Sequence, residues 1–295
     1  MSRNSSKEFS IDKTWLRNSF SQSASTYNQV AVLQREVASR LIERLDFINL
    51  QPQSVLDLGS GTGYCSELLL ERYPRASVFS VDIALGMLNY ARSQKSWLKK
   101  LRQKQSYICG DAETLPIQDD QFDIAVSSLA LQWCFDQTAV FENLYRVLKP
   151  GSLLMFATMG PDTLKELRQS WAAVDDSAHV SGFFEMHDIG DALVRAGFAD
   201  PVMDVERIQL TYQKVTDLMK DLKSLGSRNA VSHRSKALTG KAKFSGMQQA
   251  YEQFRKDDHL PATYEIVYGH AWIPEQKKSM IHPEKDFPIP VKVRS

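Results

Sequence analysis

Apolar residues recur four apart at Leu33, Val37, Leu41 and Leu45. That spacing predicts helix over residues 11–46, with one stripe turned to a core. From Ser54 the pattern changes, and short apolar runs alternate with helix-like stretches. "SVLDLG" reads as a strand and "YCSELLLERY" as a helix, then "ASVFSVD" as a strand and "ALGMLNYARSQ" as a helix. "QSYICGD" and "FDIAVSSLALQW" are strands, the second running into a loop. "TAVFENLYRVLKPG" is a helix stopped at Pro150-Gly151, and "SLLMFATM" is a strand. Strands that alternate with helices pair in parallel, so the pattern predicts an α/β fold with a doubly wound, mostly parallel sheet.

After Gly160 the rhythm loosens. "PDTLKELRQSWAAVD" reads as a helix with Pro161 near its start, and "HDIGDALVRAGF" as a helix closed by Gly197. "PVMDVERIQLTY" and "ATYEIVYGHAWI" read as strands that finish the sheet. The expected division is an N-terminal helical cap (1–50), an α/β core (51–213), a basic, partly helical insertion or lid (214–255), the final core strand (256–273) and a flexible tail (274–295). The tail carries Pro274, Pro283, Pro288 and Pro290 among many charges.

Composition narrows the picture only by exclusion. At 43% hydrophobic and 24% charged residues, with a net charge of +1, the chain reads as an ordinary soluble protein. No overall field argues for nucleic acid or membrane. Cys65, Cys109 and Cys134 are widely spaced, and His179, His187 and His233 show no paired spacing, so no metal site is expected. The first residues lack the apolar core of a signal peptide, and no apolar run nears the roughly 20 residues of a membrane helix. A cytoplasmic protein is expected.

The densest chemical signal is Asp57-Leu58-Gly59-Ser60-Gly61-Thr62-Gly63, placed where a strand meets a helix. A ligand-free turn rarely needs three glycines, since each costs backbone entropy. In a dinucleotide fingerprint the third glycine would come one place later, where Tyr64 stands, and an acidic residue is a poor neighbour for a pyrophosphate. The motif D-x-G-x-G-x-G resembles the first motif of class I S-adenosylmethionine-dependent methyltransferases. In that reading Gly59, Ser60, Gly61 and Gly63 let the backbone approach the methionine part, and the helix N-terminus favours its carboxylate. Asp57 holds the ammonium, directly or through water. Asp82, with Ile83 beside it, ends the second strand and is placed to accept from ribose hydroxyls, although it can equally cap the next helix. Asp111 follows the third strand and can accept from the adenine amino group, while the Ala112 N–H faces a ring nitrogen; a plain turn carboxylate is the alternative. Ser128 ends the fourth strand. The cofactor expected is S-adenosylmethionine, leaving as S-adenosylhomocysteine, on a seven-stranded Rossmann-like sheet.

No N/D-P-P-Y/F loop and no Pro-Cys nucleophile suggests a nucleic-acid substrate. The blocks "SFSQSASTYNQVAVLQREVASRL", "SSLALQWCFD", "ELRQSWAAVD", "GFFEMHDIGDALVRAGF", "LKSLGSRN" and "PATYEIVYGHAW" resemble the BioC family, the malonyl-acyl-carrier-protein O-methyltransferases of biotin synthesis. The similarity runs from about Ser19 to Trp272; Ser127-Ser128 stands where that family has Ser-Asn. The resemblance implies methylation of the free carboxylate of malonyl-acyl-carrier protein, or of malonyl-coenzyme A. A carboxylate is already nucleophilic, so the enzyme needs alignment and a cationic clamp rather than a base. Candidates for positioning are Tyr27, over the methionine end or in the acceptor pocket, and Arg168 and Arg228 as clamps. Phe183 and Phe184 are candidate roof residues. Packing for Tyr27 and the phenylalanines, and a solvated helix face for Arg168, are the alternatives. Lys223, Arg228, Arg234, Lys236, Lys241 and Lys243 lie in a stretch, 222–251, without acidic residues. They are candidates to dock an acidic carrier protein bearing malonyl-phosphopantetheine, or simply a solvated face. Two other functions stay open: another small-acceptor methyltransferase, such as a quinone-type C-methyltransferase, and a non-catalytic methyltransferase-like assembly factor.

Overall fold

The computed structural model describes residues 12–97, 103–175, 179, 182–227 and 240–277. In chain order the elements are α1 (Lys13–Val30), α2 (Val32–Glu43), β1 (Ser54–Leu58), α3 (Tyr64–Arg72), β2 (Ser77–Asp82), α4 (Leu85–Gln94), β3 (Gln105–Cys109) and β4 (Phe122–Ser128). They continue with α5 (Gln137–Val147), β5 (Leu148–Met159), α6 (Lys165–Ala172), α7 (Met186–Arg195), β6 (Ala199–Tyr212), α8 (Val215–Ser224), α9 (Lys241–Tyr251) and β7 (Leu260–Trp272). The strands form one seven-stranded sheet in the order β3-β2-β1-β4-β5-β7-β6. β1 to β5 pair in parallel, and β7 runs antiparallel between β5 and β6. This is the expected doubly wound α/β class.

Residues facing alternately along each strand feed two separate cores. Val55, Val78 and Ile124 pack with the α2 stripe of Leu33, Val37, Leu41 and Leu45. Leu56, Phe79 and Ala125 pack on the other side with α5 and α7 residues such as Phe141, Leu144 and Leu193. β1 is buried along its whole length, as a central parallel strand should be. The strand order reverses between β1 and β4, and ligands of such sheets sit outside the carboxyl ends at that point.

The helix expected from Pro161 begins only at Lys165. Residues 160–164 are instead pulled onto β7: Gly160 N–H donates to Glu265 O at 2.8 Å and Leu164 N–H to Thr263 O at 2.6 Å. Leu164 takes φ +54° there, which helical propensity cannot foresee. Of the stretch expected as a tail, Lys277 is pinned by the carbonyls of Arg146 and Leu148, at 2.9 and 2.8 Å; residues 278–295 lie outside the described residues. Among the described residues no helix is long and apolar enough to cross a membrane.

Candidate active site

The glycine loop turns because Gly59, Gly61 and Gly63 all adopt positive φ, a conformation open to residues without a β-carbon. It folds down onto the end of β2. Gly59 and Ser60 N–H both donate to Val81 O, at 2.8 and 3.0 Å. Gly61 N–H donates to the Asp82 carboxylate at 2.8 Å, and the other Asp82 oxygen accepts from Ala84 N–H at 2.8 Å. Gly110 N–H donates to Asp82 O at 3.0 Å, so the turn after β3 joins the same cluster. Asp82 thus both ties the loop and starts the α4 turn. Burial raises its carboxyl above the usual range.

These strand tips floor a cavity of about 540 Å³, lined on this side by Gly59, Gly61, Asp82, Ile83, Asp111 and Ala112. A β-carbon at Gly61 would meet nothing within 4 Å, so the loop leaves open space above it. Carboxylates at Asp82 and Asp111 beside bare backbone fit the polar groups of S-adenosylmethionine, and the described residues hold no cluster of His, Cys, Asp and Glu suited to a metal ion.

α1 lies across the cavity as a cover. Asp12 caps it by accepting from Trp15 N–H at 2.9 Å. Lys13 bridges Asp111 and Glu113 at 2.6 and 2.7 Å. Further along, the Ser21 hydroxyl accepts from Gly86 N–H at 3.3 Å, and the Thr62 hydroxyl donates to the Asn28 side chain at 2.7 Å. Phe20 packs edge-on to Trp133, centroids 5.4 Å apart. Tyr27 lines the cavity; burial, reinforced by the Asp82 charge, pushes its phenol well up, so it stays a neutral donor. α1 is also stitched to the turn that follows α8: the Ser19 hydroxyl donates to Gly226 O at 3.1 Å.

On the β5–β7 side the cavity is lined mainly by apolar side chains. Met159, Leu164, Leu167, Trp171, Met219 and Leu222 line it. Phe183 and Tyr264 also line it, whereas Phe184 packs against the other core. His179 stands at the wall, stacked on Trp171 at 3.8 Å and bonded to Asp175 at 2.8 Å. The loop after β4 also lines the cavity, through Ser128, Leu129, Gln132 and Trp133. Leu129 holds φ +52°, secured by its N–H to Ala157 O at 2.8 Å and by the Gln132 amide to its own carbonyl at 2.7 Å. Two leucines in a left-handed conformation, Leu129 and Leu164, both face one cavity, where backbone strain commonly accompanies function.

Several residues singled out in the sequence stand apart from the lining. Ser60 and Gly63 shape the loop from outside the cavity. Arg168 donates to the Pro161 and Thr163 carbonyls at 2.9 and 3.1 Å and so braces the bend before α6. Of the basic residues, Lys223 does line the cavity, as an exposed side chain, whereas Lys241 is exposed on α9 and Lys243 pairs with Asp175 at 3.1 Å. Arg228, Arg234 and Lys236 lie outside the described residues. Lys13, Phe20, Gln34, Leu129, Leu164 and Tyr264 line the cavity without any signal in the sequence, because helix docking and strand pairing bring them there.

Asp57 is buried beneath the loop, where it accepts from the Ser66 hydroxyl. Ser66 meets Ser80 at 2.7 Å, and Gln105 donates to Ser80 at 2.6 Å, a polar link across β1, β2 and β3. Among the described residues one Asp57 oxygen has no well-formed hydrogen bond, although the Cys65 thiol and the Ser66 N–H lie beside the carboxylate. Burial pushes this carboxyl from 3.8 up to about 7, against the pull of Ser66. The folded chain therefore holds a proton that the unfolded chain has lost, and Asp57 makes stability fall as pH rises from about 4 to about 7. The effect is on the order of 2–4 kcal/mol. Urea midpoints measured below and above this window should fall with pH in the wild type and fall less in Asp57→Asn; parallel slopes would exclude the assignment.

Comparisons with known proteins agree with this geometry. The Methyltransferase domain family model matches residues 56–156. The Malonyl-[acyl-carrier protein] O-methyltransferase of Gallionella capsiferriformans (strain ES-2) is 51% identical over 90% of this chain and 93% of its own. That of Laribacter hongkongensis (strain HLHK9) is 50% identical over 90% and 91%. The crystal structure of the YcgJ protein of Bacillus subtilis superimposes with a TM-score of 0.57 at 15% identity, covering 82% of this chain and 99% of that one, which shows the shared fold. Identity near one half across nearly the whole of both chains, over a sheet whose strand tips form this cradle, shows that the chain belongs to the malonyl-[acyl-carrier protein] O-methyltransferase family.

Proposed function

We propose that this protein transfers the methyl group of S-adenosylmethionine to the free carboxylate of malonyl-acyl-carrier protein, giving the methyl ester that enters biotin synthesis. The observation that carries the reading is the two-sided cavity, with carboxylates and bare backbone on the β1–β3 side and an apolar wall on the β5–β7 side. When bound, S-adenosylmethionine supplies an electrophilic methyl carbon on a sulfonium. Asp82 is proposed to accept from the ribose hydroxyls and Asp111 from the adenine amino group. Asp57, under the loop, reaches the methionine end only through the loop or a water.

The acceptor and donor carry opposite charges that cancel as oxygen bonds to the methyl carbon and the carbon–sulfur bond breaks. A partly neutralised transition state is favoured over its charged reactants in a dry, apolar space. Met159, Leu164, Leu167 and Trp171 provide such a space, and α1 contributes Leu16, Phe20 and Tyr27 to the same cavity. No proton moves. Tyr27, a neutral donor, can orient the acceptor without quenching it. Lys223 at the wall, together with Lys241, is proposed to attract the acidic carrier protein.

Carbon methylation of a quinone-type acceptor would need a base, and His179 with its Asp175 partner is the group in place. Intact-mass analysis separates the readings. Malonyl-acyl-carrier protein is expected to gain one methyl, while acetyl-acyl-carrier protein, lacking the carboxylate, gains none. His179→Gln should leave malonyl turnover at saturating cofactor largely intact. Turnover of quinone precursors that collapses in His179→Gln, with no methyl on the malonyl carrier, would overturn the proposal.

A further inference from the structure

Gln34 stands on α2, lines the cavity, and keeps its Oε1 buried with no hydrogen-bond partner among the described residues. An acceptor withheld from water and left unpaired is costly, so a site that retains one is shaped for a donor that arrives with the ligand.

The position of Gln34 identifies that donor. α1 runs along the cradle in a fixed direction. Lys13 sits at Asp111, Ser21 at Gly86, and Asn28 at Thr62 in the glycine loop. The helix covers about 22 Å between Lys13 and Asn28, from the adenine side to the glycine-loop side. After the break at Ala31, α2 continues beyond the loop and packs on α3 and β5. Gln34 therefore lies past the glycine-loop end. The adenine amino group faces Asp111 at the other end, and the two ribose hydroxyls face Asp82, which lies between that end and the loop it ties down through Gly61 N–H. The donor left for the glycine-loop end is the α-ammonium of the amino-acid part. Building on the cofactor reading above, we propose that Gln34 is a cofactor-positioning residue whose side-chain oxygen accepts from this ammonium and so fixes the methionine arm.

Calorimetric titration of the full chain with two probes tests this. S-adenosylhomocysteine carries the ammonium; 5′-methylthioadenosine keeps the adenosine and the thioether but lacks the amino-acid arm. Gln34→Leu is expected to weaken S-adenosylhomocysteine about tenfold, the loss of a hydrogen bond to a charged group, and to leave 5′-methylthioadenosine unchanged. The second probe also reports that the variant is folded. Gln34→Glu should bind S-adenosylhomocysteine at least as well as wild type, since a carboxylate pairs with an ammonium. A Leu variant equal to wild type, or weakened equally for both probes, overturns the assignment. So does a Glu variant weaker than the Leu variant, which would put the amide N–H on the ligand's carboxylate. Wild type that binds neither probe would remove the cofactor reading itself, whereas intact wild-type binding with an indifferent Gln34→Leu removes only this residue's role.

Discussion

Asp82→Ala is expected to weaken S-adenosylhomocysteine binding by about 100-fold or more, the equivalent of two charge-assisted hydrogen bonds. Asp82 acts at both levels of the site. Its two oxygens hold Gly61 N–H and Ala84 N–H, each at 2.8 Å, so it sets the shape of the glycine loop and the start of α4. It also lines the cavity where the ribose hydroxyls are proposed to lie. Alanine removes the ligand contact and leaves two backbone donors to seek water. Asp82→Asn should fall between the two, because an amide keeps one acceptor and turns a donor toward a donor. Calorimetry gives the affinities directly, and initial rates should show a raised cofactor KM. Unchanged affinity in the alanine variant would contradict the ribose assignment.

The second large effect is steric. A β-carbon added at Gly59 would fall 2.1 Å from the Ala130 β-carbon, and Gly59 also holds φ +75°. Gly59→Ala must therefore shift the loop after β4, which carries Leu129 and Trp133 into the cavity. Overpacking costs about 1–3 kcal/mol and the left-handed conformation about 1 kcal/mol more. A urea unfolding midpoint should drop accordingly, with loss of cofactor binding. The double variant Gly59→Ala/Ala130→Gly removes the collision but not the backbone strain. It should recover all but about 1 kcal/mol. A double variant no better than the single one would show that the contact between the two loops is not what fixes their spacing.

The parts of this site that could be read from the chain are those encoded within a few residues of one another. Alternating strands and helices, the Asp57 to Gly63 loop, and an acid at the end of each of the next two strands are local patterns, and backbone pairing then brings the strand tips together. The cover could be read only as a helix. That Lys13 would meet Asp111, 98 positions away, depends on how α1 docks, and periodicity carries no such information. Gln34 is one polar residue beside the apolar stripe of α2, and no local pattern marks it. Leu164 interrupts an otherwise helical stretch because β7 competes for its N–H, a long-range contact that overrides local propensity. Arg168 illustrates the converse: a charge that suggested a ligand clamp spends its hydrogen bonds on two nearby carbonyls.

The most direct test is a crystal structure of the protein with S-adenosylhomocysteine. The ribose hydroxyls are expected on Asp82, the adenine beside Asp111 and Ala112 beneath Lys13, and the sulfur turned toward the apolar wall of Leu129, Met159 and Trp171. A ligand bound elsewhere, or one lying in the cavity with its adenine against the β5–β7 wall, would contradict this placement.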